Sequence, residues 1–275
     1  MPIELKRKDY EMAKKKTGTR EWAEVNVNII LGCEHRCLYC FAATMAKWRG
    51  DISSRDEWGT TCCRTRPKEV TKKRQKIEGR IMFPSTHDIT PQFLDECVTV
   101  LRKLLAAGNE VLIVSKPHLE CVERLCQEFA EYKEKIIFRF TIGAMDDELL
   151  GFWEPGAPAF AERLASLKYA HEEGFRTGVS AEPMLDVPHA VELYETLIPF
   201  VTGTIWFGKM NEIRRRVAPK TKQEKAAVKR IEDNQTDERI IELYERLKDE
   251  PKIRWKDSIK KVVGLPLVEK VEEDD

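Results

Sequence analysis

The sequence predicts an α/β fold: a partial (β/α)6 TIM-like barrel followed by a helical C-terminal extension. Six short apolar runs alternate with segments of helical periodicity, the pattern of a parallel sheet wound by right-handed crossovers. Polar residues follow the ends of these runs, where parallel sheets gather their functional groups. The chain has 275 residues and 42% hydrophobic content, enough for one substantial core. Six strands fall short of an eightfold barrel, so we expect an open lateral mouth.

The expected boundaries of strands and helices follow from hydrophobic periodicity and from the proline and glycine residues that begin or end elements. In the helix expected at residues 91–108, apolar residues recur on one face, Pro91 suits the first turn and Gly108 suits the end. The other helices expected in the barrel cover residues 38–47, 119–129, 160–174 and 191–198. The expected strands cover residues 25–31, 80–83, 111–114, 136–142, 176–181 and 204–207.

Three regions are expected along the chain. Residues 1–24 form a charged N-terminal segment, residues 25–211 form the barrel, and residues 212–275 form the helical extension packed on the barrel. Within the extension, helices are expected at residues 222–233 and 237–248, with a final turn or helix at 255–263. These elements would lie across the open side of the barrel, either as a cap over the mouth or as a partner surface.

The pattern of charged and apolar residues limits which partners and which cellular compartment we expect. The 47 basic and 47 acidic side chains balance, so the whole molecule is not an obvious polyanion binder. Two segments are nevertheless strongly basic, residues 64–80 and 214–230, although such runs are usually solvated faces. No apolar run approaches the ~18 to 20 residues that span a bilayer, and the charged N-terminus is unlike a secretory signal. We therefore expect a cytoplasmic protein that does not enter a membrane.

The most specific motif consists of Cys33, Cys37 and Cys40, directly after the first predicted strand. Spacings of three and two residues let one loop aim three thiolates at a single point, and such sets hold iron–sulfur clusters. Three ligands leave one iron of a four-iron cluster with an open site, where a small molecule could bind. A zinc site would need a fourth ligand from elsewhere, and a disulfide framework does not suit a reducing compartment.

Polar side chains follow every predicted strand at the point where it ends. Because the carboxyl ends of parallel strands meet at one edge of the sheet, six separated segments should converge on one mouth. These segments are Cys33, residues 85–88, Ser115 with Lys116, Thr141, Glu182 and residues 209–211.

These features resemble the radical S-adenosylmethionine superfamily. In that superfamily a Cys-x3-Cys-x2-Cys loop follows the first strand of a partial (β/α)6 barrel, with an aromatic residue before the last cysteine, as at Tyr39. Within it, the chain is similar to the spore photoproduct lyase group over about residues 25–210. The similar pieces are residues 26–41, 85–88, 114–116, 141–158 with Arg163, and 174–183.

The resemblance implies two cofactors. Cys33, Cys37 and Cys40 would hold a [4Fe-4S] cluster, and the amine and carboxylate of S-adenosylmethionine would chelate the open iron. An electron from the reduced cluster would release a 5'-deoxyadenosyl radical that abstracts hydrogen from a substrate, so an electron donor such as flavodoxin or ferredoxin is implied. The cofactors carry the chemistry, and the protein supplies orientation and exclusion of side reactions.

Roles for individual residues follow from this resemblance and from their chemistry. Lys116, next to Ser115, could pair with the cofactor carboxylate, unless it is a surface lysine before a helix. Asp88, Thr86 and Ser85 are candidates for the amine, and the alternative is that Asp88 or Thr90 caps the following helix. Thr141 is expected at the ribose. Tyr39, Glu182 and Met184 are expected near adenine, although Met184 could equally be a core residue.

The chain departs from spore photoproduct lyase at the hydrogen donor. That enzyme uses a cysteine near the end of strand two, and the corresponding position here is Ser85, whose O–H bond is too strong to donate hydrogen easily. Thymine-dimer repair is therefore not the expected reaction. Cys62 and Cys63 could supply a thiol instead, although adjacent loop cysteines are often incidental. Of the other cysteines, Cys97 and Cys126 read as core residues, and Cys121 lies off its helix stripe without a role.

Three substrate or function classes stay open. A nucleic acid or nucleobase is favoured by the group's namesake and by the basic segments, with Trp48, Trp58 and Tyr39 as stacking surfaces. A peptide, protein or small metabolite is the second class, although no cysteine after Cys126 could hold an auxiliary cluster in the extension. The third class is non-enzymatic: an iron–sulfur electron carrier or sensor, or a zinc-binding interaction module.

Overall fold

The computed structural model describes residues 18–268 and residue 271, and its centre is a parallel sheet of seven strands. The predicted α/β partial barrel is confirmed, with one strand more than predicted. The unpredicted strand belongs to the C-terminal extension. Most of the charged N-terminal segment and the acidic residues 272–275 lie outside the described residues. In order across the sheet, the strands are β1 Val25–Asn26, β4 Arg80–Phe83, β5 Glu110–Ser115, β6 Ile136–Thr141, β7 Arg176–Ala181, β8 Ile205–Phe207 and β9 Ile253–Trp255.

The strand predicted at residues 25–31 is not continuous. After β1 the chain leaves the sheet, and β2 (Ile30–Leu31) pairs in antiparallel fashion with β3 (Arg64–Thr65). Specific contacts of the intervening residues explain the break. The side-chain oxygen of Asn28 accepts hydrogen bonds from the backbone amides of Ser85 (2.7 Å) and Thr86 (2.9 Å). The amide of Ile29 donates to Nε2 of buried His87 (3.1 Å), so this segment binds the end of β4.

Helices cover the outer face of the sheet and continue into the extension. None of the helices in residues 18–268 is long and apolar enough to cross a membrane. The helices are α1 Phe41–Arg49, α2 Pro67–Thr71, α3 Leu94–Ala106, α4 Leu119–Glu128, α5 Asp147–Trp153, α6 Phe160–Glu172, α7 Ala190–Leu197, α8 Ile213–Val217, α9 Lys222–Asn234, α10 Asp237–Leu247 and α11 Asp257–Val263.

Two helices differ from the prediction for identifiable reasons. The helix predicted from residue 38 begins at Phe41, because Cys40 is its N-cap and the Cys40 Sγ accepts the amide of Ala43 (3.4 Å). In α4, the placement of Cys121 off the apolar stripe was wrong. Its side chain is buried in the main core together with Val122.

The two faces of the sheet bury different residues. The outer face and the surrounding helices form the main apolar core. The inner face forms a smaller cluster in which Met82, Leu112, Ile137 and Trp206 pack with Trp22 from the start of the described chain. Alternate residues of each strand thus serve the two faces, as the pleat of a strand requires.

A buried ion pair joins the two edges of the sheet. Glu21 precedes the edge strand β1, Lys256 follows the opposite edge strand β9, and their side chains meet at 2.8 Å with no exposure to solvent. The Lys256 ammonium also donates to the carbonyl of Gly18 (2.7 Å) and lies 4.1 Å from the Trp22 ring centroid. Burial raises the pKa of Glu21, although Lys256 opposes that effect. The turn that begins at Gly18 and the C-terminal extension therefore connect the two edge strands of the sheet.

Buried His87, which accepts the amide of Ile29, makes the stability of the fold depend on pH. Burial disfavours the imidazolium and lowers the pKa of His87 from 6.5 to about 4, so the unfolded chain binds a proton at a higher pH than the folded chain. The free energy of unfolding should therefore fall by on the order of 3 kcal/mol as pH drops from about 7 to below 4, from this group alone.

Denaturant titrations across this pH range should compare the protein with His87→Gln, whose carbonyl oxygen can still accept the Ile29 amide and does not titrate. The variant is expected to show a flatter dependence on pH. Parallel curves for the two proteins would contradict the assignment to His87.

Candidate functional site

A cavity lies at the carboxyl ends of the strands, where the sequence predicted the segments to converge. Met82 and Val114 continue the inner face of the sheet into it, and Trp58 and Pro183 complete its walls. The sequence-predicted residues that line the cavity are Cys33, Cys37, Tyr39, Cys40, Ser85, Thr86, Asp88, Lys116, Thr141 and Glu182.

The cysteine loop is held from two sides by close backbone packing. At Gly32 the backbone is left-handed (φ +90°), and a Cβ there would lie 2.4 Å from the carbonyl oxygen of Trp58. On the other side, the amide of Gly156 donates to the carbonyl of His35 (3.0 Å), and the amide of Leu38 donates to the carbonyl of Trp153 (2.9 Å). The loop geometry is thus fixed by neighbouring backbone.

The three thiols of this loop are free; Cys33 and Cys37 are buried and Cys40 is half-buried. Burial raises the pKa of each thiol. The pKa values of Cys33 and Cys37 are raised further by neighbouring loop cysteines, since a thiolate disfavours a second negative charge nearby. Thiolate ligands here would require a cation to offset their charge. The donor set therefore fits a thiolate-bound metal cluster, which supplies that charge when it binds.

Asp88 connects the cysteine loop to the end of β5. One carboxylate oxygen accepts the backbone amide of Lys116 (2.6 Å) and the hydroxyl of Ser115 (3.0 Å). The other oxygen lies 3.0 Å from Nδ1 of His35 and 3.5 Å from the Cys33 sulfur. Burial alone would raise the pKa of Asp88, but Lys116 and His35 hold it well below its usual range. Asp88 is therefore a charged carboxylate, and 13% of its side chain is exposed.

The helix-capping alternative for this segment is wrong. Neither Asp88 nor Thr90 makes a side-chain cap bond to the helix that follows. The Asp88 carboxylate is used by β5 and the cysteine loop, and the Thr90 hydroxyl donates to the carboxylate of Glu34.

Lys116 is a buried cation in the cavity wall, so the surface-lysine alternative is also wrong. Its side chain is about a tenth exposed, its ammonium lies 3.9 Å from the Asp88 carboxylate, and the Tyr39 ring centroid is 5.9 Å away. Burial lowers the pKa of Lys116, but Asp88, Cys37, Tyr39 and Glu154 together raise it well above its usual value. The side chain therefore presents a fixed positive charge to the cavity.

The sequence reasoning assigned no role to a buried pair that supports Tyr39. The Tyr39 hydroxyl donates to Glu154, whose other oxygen meets the Arg163 guanidinium at 2.6 Å. Arg163 also donates to the carbonyls of Pro158 (2.7 Å) and Thr141 (3.3 Å). Burial would raise the pKa of Glu154, but Arg163 and Lys116 hold it below its usual value. A charged pair within an otherwise apolar region was the available sequence signal.

A second unpredicted contact extends from His35. Its Nε2 lies 2.9 Å from Nε2 of His118, and Nδ1 of His118 lies 3.8 Å from Glu162. His35 also belongs to a possible metal-binding group, because ligand atoms of Cys33, His35 and Asp88 lie within 4.8 Å of one another. Within residues 18–268 and residue 271, this group is the one set of side chains close enough to hold a single ion.

Several predicted residues lie elsewhere. Ser115 binds Asp88 and does not line the cavity, and Met184 is buried in the main core, as its alternative interpretation expected. Cys62 packs beside a small apolar cluster formed by α1 residues with Ile52 and Trp58, and Cys63 packs beside the main core. The cavity wall includes neither cysteine. The thiol-donor role proposed for these two cysteines has no geometric support.

The C-terminal extension holds part of the cavity wall in place. The buried Gln235 amide donates to the carbonyl of Met184 (2.7 Å) and accepts the amide of Met210 (2.8 Å). Lys256 meets the Glu182 carboxylate at 3.5 Å, and the Ser258 hydroxyl accepts the amide of Lys209 (3.0 Å). The loops after β7 and β8 thus depend on residues beyond the predicted barrel.

The packing of Gly156 against the cysteine loop can be tested with a matched pair of variants. A Cβ at residue 156 would lie 2.2 Å from the carbonyl oxygen of Glu34, whereas a Cβ at Gly151 in α5 meets nothing within 4 Å. We expect Gly156→Ala to lower the free energy of unfolding by about 1–3 kcal/mol. Gly151→Ala should be neutral or stabilising by about 0.5–1 kcal/mol. Chemical denaturation measures both, and equal stabilities would show that the loop tolerates the methyl group.

Comparison with known sequences gives distant relatives. No family model matches the chain. It is 31% identical over 173 residues to the uncharacterized protein ORF301 of Acidianus two-tailed virus, covering 59% of this chain and 56% of that protein. It is 25% identical over 166 residues to the uncharacterized protein MJ0683 of Methanocaldococcus jannaschii, covering 59% and 61%. The matches span little more than half the length of these relatives.

Comparison with solved structures gives the fold. Streptococcus suis SuiB bound to S-adenosylmethionine superposes with a TM-score of 0.52 and 13% identity, covering 89% of this chain and 53% of that one. A spore photoproduct lyase variant with bound AdoMet and dinucleoside spore photoproduct superposes with a TM-score of 0.54 and 16% identity, covering 88% and 78%. The chain therefore shares its fold with SuiB and with spore photoproduct lyase.

Proposed function

We propose that this chain is a radical S-adenosylmethionine enzyme in which Cys33, Cys37 and Cys40 hold a [4Fe-4S] cluster. The observation that carries the proposal is that three thiols of one loop share a cavity with the Lys116–Asp88 pair at the carboxyl ends of the strands. When bound, the cluster would supply the electron that cleaves S-adenosylmethionine to a 5'-deoxyadenosyl radical, which takes a hydrogen atom from the substrate. Similarly folded proteins were solved with that cofactor.

The side chains of the cavity provide complementary charges for the cofactor's amino-acid end. The Lys116 ammonium is buried, charged and directed into the cavity, so it is suited to a carboxylate. Ser85 and Thr86 line the same wall, and their hydroxyls, with the negative charge of Asp88, would receive the amine. Asp88 additionally fixes Lys116 through its backbone amide.

The remaining predicted contacts would place the nucleoside. Thr141 ends β6 beside the cavity, and Arg163 anchors its carbonyl, so a ribose hydroxyl could meet a fixed partner there. Tyr39 and Glu182 form the other wall and are the proposed neighbours of adenine. The apolar side chains of Met82, Val114 and Trp58 would limit access of water, which a reactive primary radical requires.

The single-ion alternative is the weaker interpretation of this site. A zinc ion on Cys33, His35 and Asp88 would compete with hydrogen bonds that Asp88 already accepts at both of its oxygens. It would also leave Cys37, which is buried, and Cys40, which is half-buried, without a role. Metal and sulfide analysis after anaerobic purification separates the two interpretations.

The decisive experiment measures 5'-deoxyadenosine after anaerobic reconstitution with iron and sulfide, reduction, and addition of S-adenosylmethionine. We expect the product from the intact protein and none from Cys37→Ala, which removes one cluster ligand. Stoichiometric zinc would contradict the proposal. A complete four-iron cluster that never yields 5'-deoxyadenosine would instead indicate an electron carrier or sensor.

Lys116 can be tested separately from the cluster. Lys116→Met keeps the stem and removes the charge, so S-adenosylmethionine should bind about tenfold to a hundredfold more weakly, from the loss of a charge-assisted contact. Iron content should not change. Equilibrium binding and iron assays measure both quantities, with Lys103→Met as the control, because Lys103 contacts Val70 away from the cavity. Loss of iron in Lys116→Met would show that its role is to support the cluster.

The proposed substrate is a nucleic acid or nucleobase, in a reaction other than thymine-dimer repair. Each basic segment supplies an arginine near the site: Arg216 lines the cavity and Arg66 lines a groove next to it. A peptide or small metabolite is the second candidate, because the similarly folded SuiB was solved with its precursor peptide SuiA. The proposed electron donor is a flavodoxin or ferredoxin.

A further inference from the structure

Helix α1 exposes two large aromatic side chains directly after the cysteine loop. Phe41 is 51% exposed and Trp48 is 81% exposed, whereas most large apolar side chains of residues 18–268 are buried. Phe41, Met45 and Arg49 recur every four residues, so they share one face of α1, and all three line a groove beside the cavity. Exposed aromatic rings next to a cavity indicate a surface for a ligand.

This groove is continuous with the cavity that contains the cysteines. The residues Phe41, Ala42, Trp58 and Thr86 line both. A ligand lying in the groove could therefore extend directly to the cysteine loop.

Three arginines that form no ion pair within the described residues line the groove or the cavity, as Phe41 does. Arg36 and Arg66 are exposed, and neither has an ion-pair partner in the part of the chain that the structure describes. The guanidinium of half-buried Arg216 lies 5.5 Å from the Phe41 ring centroid, and its Nε has no hydrogen-bond partner among the described residues. Its neighbours behave differently, since Arg214 pairs with Glu232 and Arg215 with Glu212.

The three arginines come from separate segments: the cysteine loop, the start of α2, and α8. Solvated surface charges are normally interspersed with opposite charges, as the pairs of Arg214 and Arg215 illustrate. Arg49, which also lines the groove, pairs with Asp51 (3.1 Å), whereas Arg36 and Arg66 have no such pair among the described residues. Positive charge of this kind beside an exposed aromatic ring is complementary to a ligand that carries both anionic groups and flat rings.

We infer that this groove and the adjoining cavity bind a single-stranded nucleic acid. Phe41 in the groove and Trp48, about two turns further along α1, would be the stacking platforms. Arg66 in the groove and Arg36 and Arg216 in the cavity wall would be the phosphate contacts. The inference rests on the proposed function, because it assigns the substrate class of that site. Phe41 and Trp48 are separated by about 10 Å along the helix axis, which corresponds to about three nucleotide steps. A base must leave a duplex stack to enter a concave cavity, so a single strand is the form that fits.

The experiment uses the full chain and a fluorescein-labelled twelve-residue oligothymidylate, with fluorescence anisotropy at low salt. We expect Phe41→Ala and Trp48→Ala each to weaken binding about tenfold, from the loss of one stacked base. Phe41→Trp, which keeps a ring, should retain affinity. Arg66→Ala should reduce the slope of log affinity against log salt by about 0.7, as one phosphate contact is lost.

Matched controls separate the groove from general surface effects. Ile241→Ala removes an exposed apolar side chain on α10, and Lys225→Ala removes a charge of the second basic segment outside the groove. Both should bind the oligonucleotide as the unchanged protein does. Equal binding of a twelve-base-pair duplex, or of a polyglutamate peptide, would overturn the inference. Unchanged affinity in both Phe41→Ala and Trp48→Ala would overturn it as well.

The outcome is distinguishable from that of the proposed function. If the protein yields 5'-deoxyadenosine but does not bind the oligonucleotide, the inference fails and the enzymatic proposal stands. If it binds the oligonucleotide with the expected variant effects but yields no 5'-deoxyadenosine, the groove assignment stands without that chemistry.

Discussion

The largely buried carboxylate of Asp88 is the contact on which the site depends. It accepts hydrogen bonds from β5 at one oxygen and meets His35 of the cysteine loop at the other. A buried carboxylate is stable only when its neighbours compensate the lost hydration, and here a lysine, a hydroxyl and a backbone amide do so. The same compensation fixes the position of Lys116 relative to the three thiols. Removing the Asp88 carboxylate would take a hydrogen-bond and charge partner from both Lys116 and the cysteine loop.

A second buried carboxylate performs the equivalent task on the other side of the cavity. Glu154 joins Tyr39 of the cysteine loop to Arg163, and Arg163 reaches the carbonyl at the end of β6. The loop is therefore held between two charged networks, each attached to a different strand. Such networks contribute less net stability than apolar packing of the same volume would, but they specify one geometry. The proposed radical chemistry would need such a fixed geometry, since misplaced groups would be attacked.

The sequence predicted the parts of the structure that local pattern controls. The strands β4 to β8 and the helix α3 follow from apolar runs with clear periods, and the cysteine spacing identified the loop. Strand β9 was missed because Ile253–Trp255 has only three residues and lies within a charged extension. The antiparallel pair β2–β3 was missed because each of its strands has only two residues. Short elements that depend on distant partners carry little periodic signal.

The site shows the same division between local and distant information. Residues at strand ends could be placed near one another, because parallel topology brings those ends together. The contacts among them could not, because they join residues far apart in sequence: His35 and His118 are 83 positions apart, and Tyr39 and Glu154 are 115 apart. The burial of Cys121 and of Met184 was likewise decided by tertiary packing. The closure of the sheet by Glu21 and Lys256 has a practical consequence for protein engineering. A barrel cut at residue 211, or joined to a foreign C-terminal segment, would leave the Glu21 carboxylate buried without its cation. Any chimera must therefore include Lys256 together with β9.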